Sequence, residues 1–444
     1  MSPITRYYRS CDPDASLQPG DPRYADLTLA RGERGGGWRK RLARDLRQTD
    51  RASIFLVSGF LGDGKSTELL RLREDLKNGS PKLAVIYVDG SQFLNAYEYT
   101  FNEFLLGVIG ETGNQLREGY GIELRPSYLS RKLDEVKSAL FSEVELKEIT
   151  AGAKIDGFEL ASKIALRARD SDRVRKQLAD LLAGDRTTLN QEFADSLNQK
   201  ARPELEKIGY KDLVIIVDWL EKLVDLPATA ARPVSGHDAL FLHHSQLVRA
   251  WGAQVVMTVP IDMVYSARLE NLRMAYACEP IVINQVGVAD FLHAEQQRKS
   301  VAALREMLKL RADHAPDGRV DYASVFASPE LAEEVIRFSG GHLRTLMNLI
   351  RQCCSFTDDL PITREAVDAA FRDHVLNSAR RVKDQWIEKL ATVHRTHEIV
   401  NDPDHFEMLR TLCVLAYANG VPLYGVEPAI QRLPKFKRLE DKAA

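Results

Sequence analysis

Residues 59–66 have the types and the spacing of a loop that binds phosphate. They read Gly-Phe-Leu-Gly-Asp-Gly-Lys-Ser, a pattern in which glycines let backbone amides come close to phosphate oxygens. A helix that begins where such a loop ends adds unpaired N–H groups and the positive end of its dipole. The ammonium of Lys65 suits the β and γ phosphates, and the hydroxyl of Ser66 can ligate magnesium. The sequence therefore predicts a site for a nucleoside triphosphate and Mg²⁺.

The segments around this loop are those that a phosphate site needs. A short apolar run at 54–57 predicts a strand buried on both faces, and leucines at helical spacing follow the loop. ATP is favoured over GTP because the sequence has no Asn-Lys-x-Asp run that would read guanine. The predicted nucleotide ligands are Gly59, Gly62, Asp63, Gly64, Lys65, Ser66 and Thr67.

A second strand predicts the carboxylate that such a site requires. The apolar run 213–217 ends at Asp218, and the carboxyl ends of parallel strands are where α/β sheets bind ligands. We expect Asp218 to hold Mg²⁺ together with Ser66, and Glu221 to orient the attacking water. Two alternatives stay open, in which Asp218 caps a turn and Glu221 is a solvated helix residue. Trp219 occupies the position where many related ATPases have an acid, which makes the rate of hydrolysis an open question.

The order of strands and helices predicts an α/β fold, a parallel-sheet P-loop NTPase core. A second buried strand at 83–88 completes a strand–helix–strand crossover, and further strands are predicted at 254–259 and 281–283. The alternation of apolar and charged residues at 158–168 predicts an amphipathic strand in an inserted hairpin. Residues 1–50 are predicted to be an extended arm that ends in a short helix.

From about residue 288 the pattern is helical, including 404–416, and a hairpin is predicted near the end. Asn419 and Gly420 favour a tight turn between 414–418 and 421–426, so a small winged-helix-like unit is expected. The predicted domains are an arm at 1–50, an ATPase core at 51–287 with an insertion at about 97–207, a helical lid at 288–360 and a C-terminal unit at 361–444.

The chain resembles AAA+ ATPases of the origin-recognition and STAND-like branch, and more narrowly a group of bacterial AAA-family ATPases. The residues that carry the resemblance extend from about Gly20 to Phe436. The segments are Ser58-Gly59-Phe60-Leu61-Gly62-Asp63-Gly64-Lys65-Ser66-Thr67-Glu68-Leu69-Leu70-Arg71-Leu72, Val217-Asp218-Trp219-Leu220-Glu221-Lys222-Leu223, Met257-Thr258-Val259-Pro260 and Ser339-Gly340-Gly341-His342-Leu343-Arg344.

The resemblance implies further site residues. Thr258 would be the polar strand-end residue that contacts the γ-phosphate or water, and Arg344 would touch the nucleotide from the lid. Arg268 or Arg273 would reach the nucleotide of a neighbouring subunit and neutralise transition-state charge. The alternatives are a sheet-packing role for Thr258 and surface ion pairs for the arginines.

Composition bounds the classes of function. The 444 residues are 44% hydrophobic and 28% charged with a formal net charge of −2, an ordinary soluble globular balance without the basic excess of many nucleic-acid binders. Five cysteines without a Cys-x-x-Cys pair predict reduced thiols rather than disulfides or a zinc ribbon. His237, His243 and His244 lack a supporting ligand pattern in the sequence. No apolar run is long enough for a membrane span, so a cytoplasmic protein is expected.

These observations favour an ATP-driven switch or motor that forms homo-oligomers and acts on a protein partner or effector. One alternative is a scaffold that binds ATP with negligible turnover. Another is a DNA-remodelling ATPase, for which there are two basic sets. These sets are Lys163, Arg167, Arg169, Arg173, Arg175 and Lys176, and Arg380, Arg381, Lys383, Lys435, Lys437 and Arg438. A role in bacterial anti-phage defence is a hypothesis from the resemblance.

Overall fold

The computed structural model describes residues 1–32, 37–141, 156–230, 232–419 and 421–443. Its residues divide into two compact units. The helical unit comprises Met1–Arg41, Gly59–Glu68 and Val282–Ala444, and the sheet unit comprises Leu42–Ser58 and Leu69–Ile281. The predicted joint at 34–37 lies almost wholly outside the described residues. The predicted domain boundaries stay predictions.

The secondary structure alternates strands and helices in the first two thirds of the chain and is mainly helical thereafter. The strands are β1 (Ile54–Gly59), β2 (Leu83–Asp89), β3 (Asp212–Asp218), β4 (Gln254–Thr258), β5 (Ile281–Ile283), β6 (Val414–Asn419) and β7 (Val421–Val426). The helices up to β5 are α1 (Pro3–Ser10), α2 (Gly37–Gln48), α3 (Lys65–Asn78), α4 (Phe101–Tyr120), α5 (Ser127–Leu140), α6 (Gly157–Asp170), α7 (Asp172–Leu182), α8 (Arg186–Ser196), α9 (Arg202–Lys207), α10 (Ser245–Arg249), α11 (Ile261–Tyr265) and α12 (Arg268–Tyr276).

The remaining helices follow β5. They are α13 (Ala294–Asp313), α14 (Pro329–Phe338), α15 (Leu343–Ser355), α16 (Arg364–Ala379), α17 (Ile387–Thr396), α18 (Pro403–Arg410), α19 (Pro428–Gln431) and α20 (Pro434–Ala443). Short 3₁₀ turns lie at Leu29–Arg31, Gly90–Gln92, Leu220–Lys222, Tyr322–Ser324 and Asp384–Trp386, and π-helical turns lie at Leu197–Ala201 and Asp238–His243.

The first five strands form one sheet in the order β2-β3-β4-β1-β5. The pairs β2–β3, β3–β4 and β1–β4 are parallel. Their apolar runs are buried, as expected for strands covered on both faces. Asp89 is level with Asp218, and Val57 is level with Thr258. The carboxyl ends of these strands therefore lie at one edge of the sheet, and the phosphate loop follows β1 directly in the chain.

The strand predicted at 158–168 is wrong, because these residues form α6. The buried residues of α6 fall at helical spacing, with Phe158, Ala161, Ile164 and Ala168 on one face. Leu166, which the alternating pattern placed with the apolar set, is 41% exposed. Asp156 caps the helix by accepting from the amides of the first turn. The apparent period of two was a subset of a helical stripe.

The first residues of the chain correct a second prediction. The predicted extended arm begins instead with α1, whose proline at the first turn and Ser2 cap favour a helix start. Ile4 and Tyr7 of α1 are buried in the core of the helical unit, together with apolar side chains of α13, α14, α15 and α16. The arm is therefore part of that core.

The predicted C-terminal hairpin is confirmed. β6 and β7 pair antiparallel from Val414 opposite Val426 to Asn419 opposite Val421, while Gly420 lies outside the described residues. The helix predicted at 404–416 is too long, since α18 ends at Arg410 and β6 begins at Val414. Two helices followed by a hairpin and short helices give the C-terminal unit the predicted order of elements. Among the helices of the described residues, none combines the length and apolar character needed to cross a bilayer.

Candidate nucleotide-binding site

The backbone of the phosphate loop takes conformations that glycine permits. Gly59, Gly62 and Gly64 have φ values of 155°, 97° and 79°, a region that other residues avoid. A Cβ at position 62 would lie 2.5 Å from the Cβ of Arg344. Glycine at this position therefore also lets the start of α15 pack directly on the loop.

Lys65 is the first residue of α3, and its side chain closes the loop. Its Nζ donates to the carbonyl oxygens of Gly59 at 2.9 Å and Phe60 at 2.7 Å, and the residue is 3% exposed. Charge-assisted bonds of this kind are stronger than neutral ones. A phosphate oxygen would be a charged acceptor in place of these neutral carbonyls. The arrangement therefore suits the lysine role predicted from the sequence.

The two hydroxyl residues that follow are both partly exposed. Ser66 is the second residue of α3, where its hydroxyl is available to a ligand of the loop. Thr67 Oγ1 accepts from the amide of Leu17 at 3.1 Å, so Thr67 ties the N-terminal segment to α3. Glu68 continues this connection by pairing with Arg39 at 2.6 Å. The nucleotide roles of Ser66 and Thr67 stay predictions.

Asp63 occupies an unusual place in the loop, because its carboxyl group is buried. The residue is 1% exposed, and burial raises the pKa of Asp63 to about 7 against the opposing charges of Arg31 and Lys65. Arg31 donates to the carbonyl oxygens of Asp63 and Asn284, both at 2.7 Å. The predicted nucleotide contact of Asp63 can come only from its backbone, since its side chain faces the protein.

His342 connects this loop to α15, and sequence reasoning gave it no role. Its Nε2 lies 2.8 Å from the carbonyl oxygen of Leu61, so Nε2 carries the proton and donates. Its Nδ1 accepts from the amide of Thr345 at 3.2 Å and lies 2.7 Å from the Thr345 hydroxyl. Burial lowers the pKa of His342 to about 4, so the ring is neutral at pH 7. The only sequence signal was its place in the Gly-Gly-His-Leu-Arg segment.

Arg344 lies beside the phosphate loop, as the resemblance implies. Its backbone and side chain pack on Gly62, and its guanidinium pairs with Asp14 at 3.0 Å. The preceding turn is held in place because Gly340 accepts from the Tyr417 hydroxyl of the hairpin at 2.7 Å. Its predicted contact with the nucleotide stays a prediction, but the arginine is in position to be affected by what the loop binds.

Asp218 is buried at the carboxyl end of β3 in the sheet unit. Its Oδ2 accepts from the Tyr87 hydroxyl at 2.6 Å, and its Oδ1 accepts from the amide of Trp219 at 2.7 Å. Burial and the neighbouring Asp218 carboxylate together raise the pKa of Tyr87 well above its usual range, so Tyr87 is a hydrogen-bond donor at neutral pH. These bonds fix the orientation of a carboxylate that could ligate a cation.

The turn after Asp218 has a strained backbone. Trp219 has a φ of 78°, a conformation that costs a bulky residue of the order of 1–3 kcal/mol. The Thr258 hydroxyl accepts from the amide of Leu220 at 2.9 Å and is fully buried. Glu221, in the 3₁₀ turn, is 7% exposed and therefore is not the solvated residue of the alternative reading. The structure gives Thr258 a structural task, while its catalytic role stays a prediction.

The two candidate arginines on α12 have different surroundings. Arg268 pairs with Asp225 at 2.8 Å and Asp238 at 3.0 Å, and lies 3.7 Å from Asp262. Arg273 is exposed and pairs with Glu270 and Glu279. Neither is positioned by the part of the chain described here to reveal a subunit contact, so a role in a neighbouring site stays a prediction for both.

Much of the two predicted basic sets is neutralised by ion pairs within the chain. Arg175 is buried and pairs with Glu103 at 2.8 Å and with Glu98 at 2.5 Å. The same holds for other members of both sets, with pairs Lys163–Glu159, Arg169–Asp170, Lys176–Asp172, Arg381–Glu427, Lys383–Glu407 and Lys435–Asp384. This pairing weakens the argument for a nucleic-acid surface at either place.

No family model and no curated protein matches the chain. Among solved structures, it is similar to the Aeropyrum pernix ORC1 protein in complex with DNA, with a TM-score of 0.37 and 14% identity over 97% of this chain and 98% of that one. It is similar to the Aeropyrum pernix ORC2 protein in ADPNP–ADP complexes, with a TM-score of 0.40 and 12% identity over 97% and 95%. It is similar to Cdc6p from Pyrobaculum aerophilum, with a TM-score of 0.36 and 12% identity over 98% of each chain.

The fold class follows from the chain's own topology. A parallel sheet of order β2-β3-β4-β1-β5, a glycine-rich loop between β1 and α3, and a helical part after β5 define an AAA+-like P-loop NTPase fold. This confirms the fold class predicted from the sequence.

Proposed function

We propose that the chain is an AAA+-like ATPase that works as a switch or motor. It binds ATP at the loop of residues 59–66, hydrolyses it slowly, and acts through oligomerisation on a macromolecular partner. The observation that carries this proposal is the attachment of the phosphate loop to α15 in the helical unit. His342 bonds to Leu61, and Arg344 packs on Gly62, so a change in the loop reaches the lid helix directly.

The residues present fit a nucleoside triphosphate with Mg²⁺. The glycine conformations open the loop amides, α3 begins at Lys65, and the Lys65 ammonium is held at the loop by carbonyl oxygens alone among its printed partners' chemistry of neutral acceptors. Ser66 and Asp218 are the residues that would hold Mg²⁺, which supplies positive charge that neutralises the phosphates. Glu221 would accept a hydrogen bond from the attacking water.

The coupling between nucleotide and partner would run through the turn before α15. Gly341 in this turn lies against the carbonyl of Val286, and Gly340 is bonded to Tyr417 of β6. A loop that rearranges around phosphate would therefore load both α15 and the C-terminal hairpin. Binding energy is converted into a shift of these elements only to the extent that the nucleotide binds their two arrangements with different affinity.

A scaffold that binds ATP without turnover is the second candidate. Trp219 stands where related ATPases have an acid, and its positive φ turns the chain away from an extended path after Asp218. The Thr258 hydroxyl is already bonded to Leu220. Both features favour tight control of hydrolysis, and turnover measurements separate the two candidates.

Lys65→Ala tests the proposed nucleotide site. Loss of a charge-assisted bond worth about 1.5–3 kcal/mol should weaken ATP affinity by roughly 10- to 100-fold, as measured with a fluorescent ATP analogue. Lys299→Ala is the matched control, because Lys299 is an exposed lysine paired with Glu295 in the same unit. Thermal melting without nucleotide distinguishes lost binding from lost folding. Unchanged affinity in a folded Lys65→Ala variant would refute the assignment.

A further inference from the structure

A cage of carboxylates surrounds a buried histidine in the sheet unit. Asp225 follows the turn after β3, Asp262 lies in α11, and His237 directly precedes the π-helical turn at Asp238–His243. The Nδ1 atom of His237 and one carboxylate oxygen from each aspartate all lie within 4.8 Å of one another. None of these residues belongs to the nucleotide site described above.

The hydrogen bonding of His237 fixes which nitrogen faces the cage. Its Nε2 lies 2.9 Å from the carbonyl oxygen of Leu223, and a carbonyl can only accept, so Nε2 carries the proton. Its Nδ1 has no hydrogen-bond partner among the described residues, although the residue is only 1% exposed. The nearest oxygens are those of Asp262 at 3.5 Å and Asp225 at 3.9 Å. In the neutral ring, a buried lone pair therefore faces two carboxylates.

The charges around His237 do not balance within the cage. Three carboxylates, those of Asp225, Asp238 and Asp262, share the single guanidinium of Arg268. Although burial opposes it, the neighbouring charges of His237 and Arg268 and the His237 amide hold the pKa of Asp225 below its usual value. The carboxylates are therefore in the form that binds cations, and two negative charges are left to be offset by a second positive group.

We propose that Asp225, His237 and Asp262 form a binding site for a divalent transition-metal ion, with zinc as the preferred ion. An imidazole nitrogen and two carboxylate oxygens are ligands that zinc takes at about 2.0–2.2 Å, commonly with a fourth ligand that is water. Such bonds place neighbouring donors roughly 3.3–3.5 Å apart. The separations from Nδ1 are already close to this range, so small side-chain movements complete the site.

The proposed ion competes with Arg268. The guanidinium contacts Asp225 and Asp262, two of the three proposed ligands. An ion that takes these carboxylates leaves Arg268 with Asp238 as its remaining partner in the cage. Arg268 is also one of the two arginines that the family resemblance offers for a neighbouring site. Metal binding would thus determine whether this arginine is held in its own chain.

Zinc titration of nucleotide-free protein, followed by calorimetry after dialysis against a chelator, tests the proposal. Asp262→Asn and His237→Ala should each weaken zinc binding by about tenfold or more, since each removes a ligand. Arg268→Ala should strengthen it severalfold, because the competing cation is gone. Arg273→Ala is the matched control on the same helix and should leave the affinity unchanged, as should His243→Ala, which removes an exposed histidine.

The cobalt form gives a second readout that does not depend on the folding of one variant. Visible absorption of bound Co²⁺ should report a nitrogen–oxygen ligand set and should disappear in Asp262→Asn. Equal zinc binding by wild type, Asp262→Asn and His237→Ala would overturn the site. Equal or weaker binding by Arg268→Ala would overturn the competition. Failure of the wild type to bind would show that His237 is an imidazolium in an ordinary ion-pair cluster.

Discussion

Two buried side chains at the phosphate loop respond to pH in opposite directions. His342 is kept neutral by burial and by its bonds to Leu61 and Thr345, and its pKa is lowered to about 4. Asp63 is 3.8 Å away, and burial raises its pKa to about 7. The two groups lie between the loop and α15, so their protonation affects the attachment on which the proposed switch depends.

The sign of each contribution follows from the protons bound in the folded and unfolded chains. Folded Asp63 keeps a proton that the unfolded chain has lost, so its stabilising contribution is present below about pH 4 and is lost as pH rises through about 7. Folded His342 refuses a proton that the unfolded chain binds, so its contribution is present above about pH 6.5 and is lost as pH falls toward about 4. Above pH 6.5 only the Asp63 effect persists.

Asp63→Asn should therefore remove a loss of stability between about pH 6.5 and 8. We expect the free energy of unfolding of the variant, relative to wild type, to rise across this window and to level off above it, because the deprotonated buried carboxylate is gone. Urea unfolding at a series of pH values measures the difference. Asp14→Asn, at an exposed position in the same unit, should give a curve parallel to wild type. A parallel curve for Asp63→Asn would contradict the buried-carboxyl interpretation.

At the scale of elements, the turn before α15 determines how closely the helical unit holds its loop. Gly341 has a φ of 78°, and a Cβ there would lie 2.0 Å from the carbonyl oxygen of Val286. No rotation of a side chain relieves a collision with backbone. The position of α15, and with it His342 and Arg344, therefore depends on the absence of a side chain at residue 341.

Gly341→Ala should destabilise the chain by more than the cost of the backbone conformation alone, which is about 1–2 kcal/mol. It should also weaken ATP affinity, because α15 must move away from the loop. Gly20→Ala is the matched control, since Gly20 has a φ of 83° with nothing within 4 Å of a Cβ. Denaturant unfolding and nucleotide titration of both variants measure the two effects. Equal losses in the two variants would mean that only backbone strain matters at residue 341.

At the scale of the whole molecule, the proposed arginine in trans makes activity depend on assembly. If subunits complete each other's sites, ATPase activity per chain should rise with protein concentration. Glu221→Gln should abolish most turnover while ATP still binds, since the amide cannot take a proton from water. Steady-state turnover with oligomer mass recorded in parallel measures both.

Glu295→Gln is the control for this experiment, because Glu295 is an exposed carboxylate on α13. It should leave the concentration dependence unchanged. Activity that is constant per chain at all concentrations would argue against shared sites. Background turnover at every concentration, with ATP bound, would instead favour the scaffold, to which Trp219 and the Thr258–Leu220 bond already point.

Local pattern was enough to predict some elements and misled for others. The strand before the loop and the one that ends at Asp218 were predictable because a parallel strand buried on both faces is a short apolar run. Residues 158–168 were predicted as a strand, since their apolar positions also satisfy a period of two. Packing decided otherwise, because α4 has Gly110 and Gly113 against this segment, where a Cβ would collide with Phe158 and Ser162. A segment flanked by such a groove packs as a helix.

The sequence by itself determined the phosphate loop, the parallel sheet and the C-terminal hairpin, since each depends on residues that are neighbours in the chain. Only the tertiary structure brought His342 onto Leu61 and buried the carboxyl group of Asp63. It also gathered Asp225 and Asp262 around His237, a histidine that had no ligand pattern in the sequence. The physical reason is that side chains from separate elements meet through packing, and the spacing of residues along the chain does not record those distances.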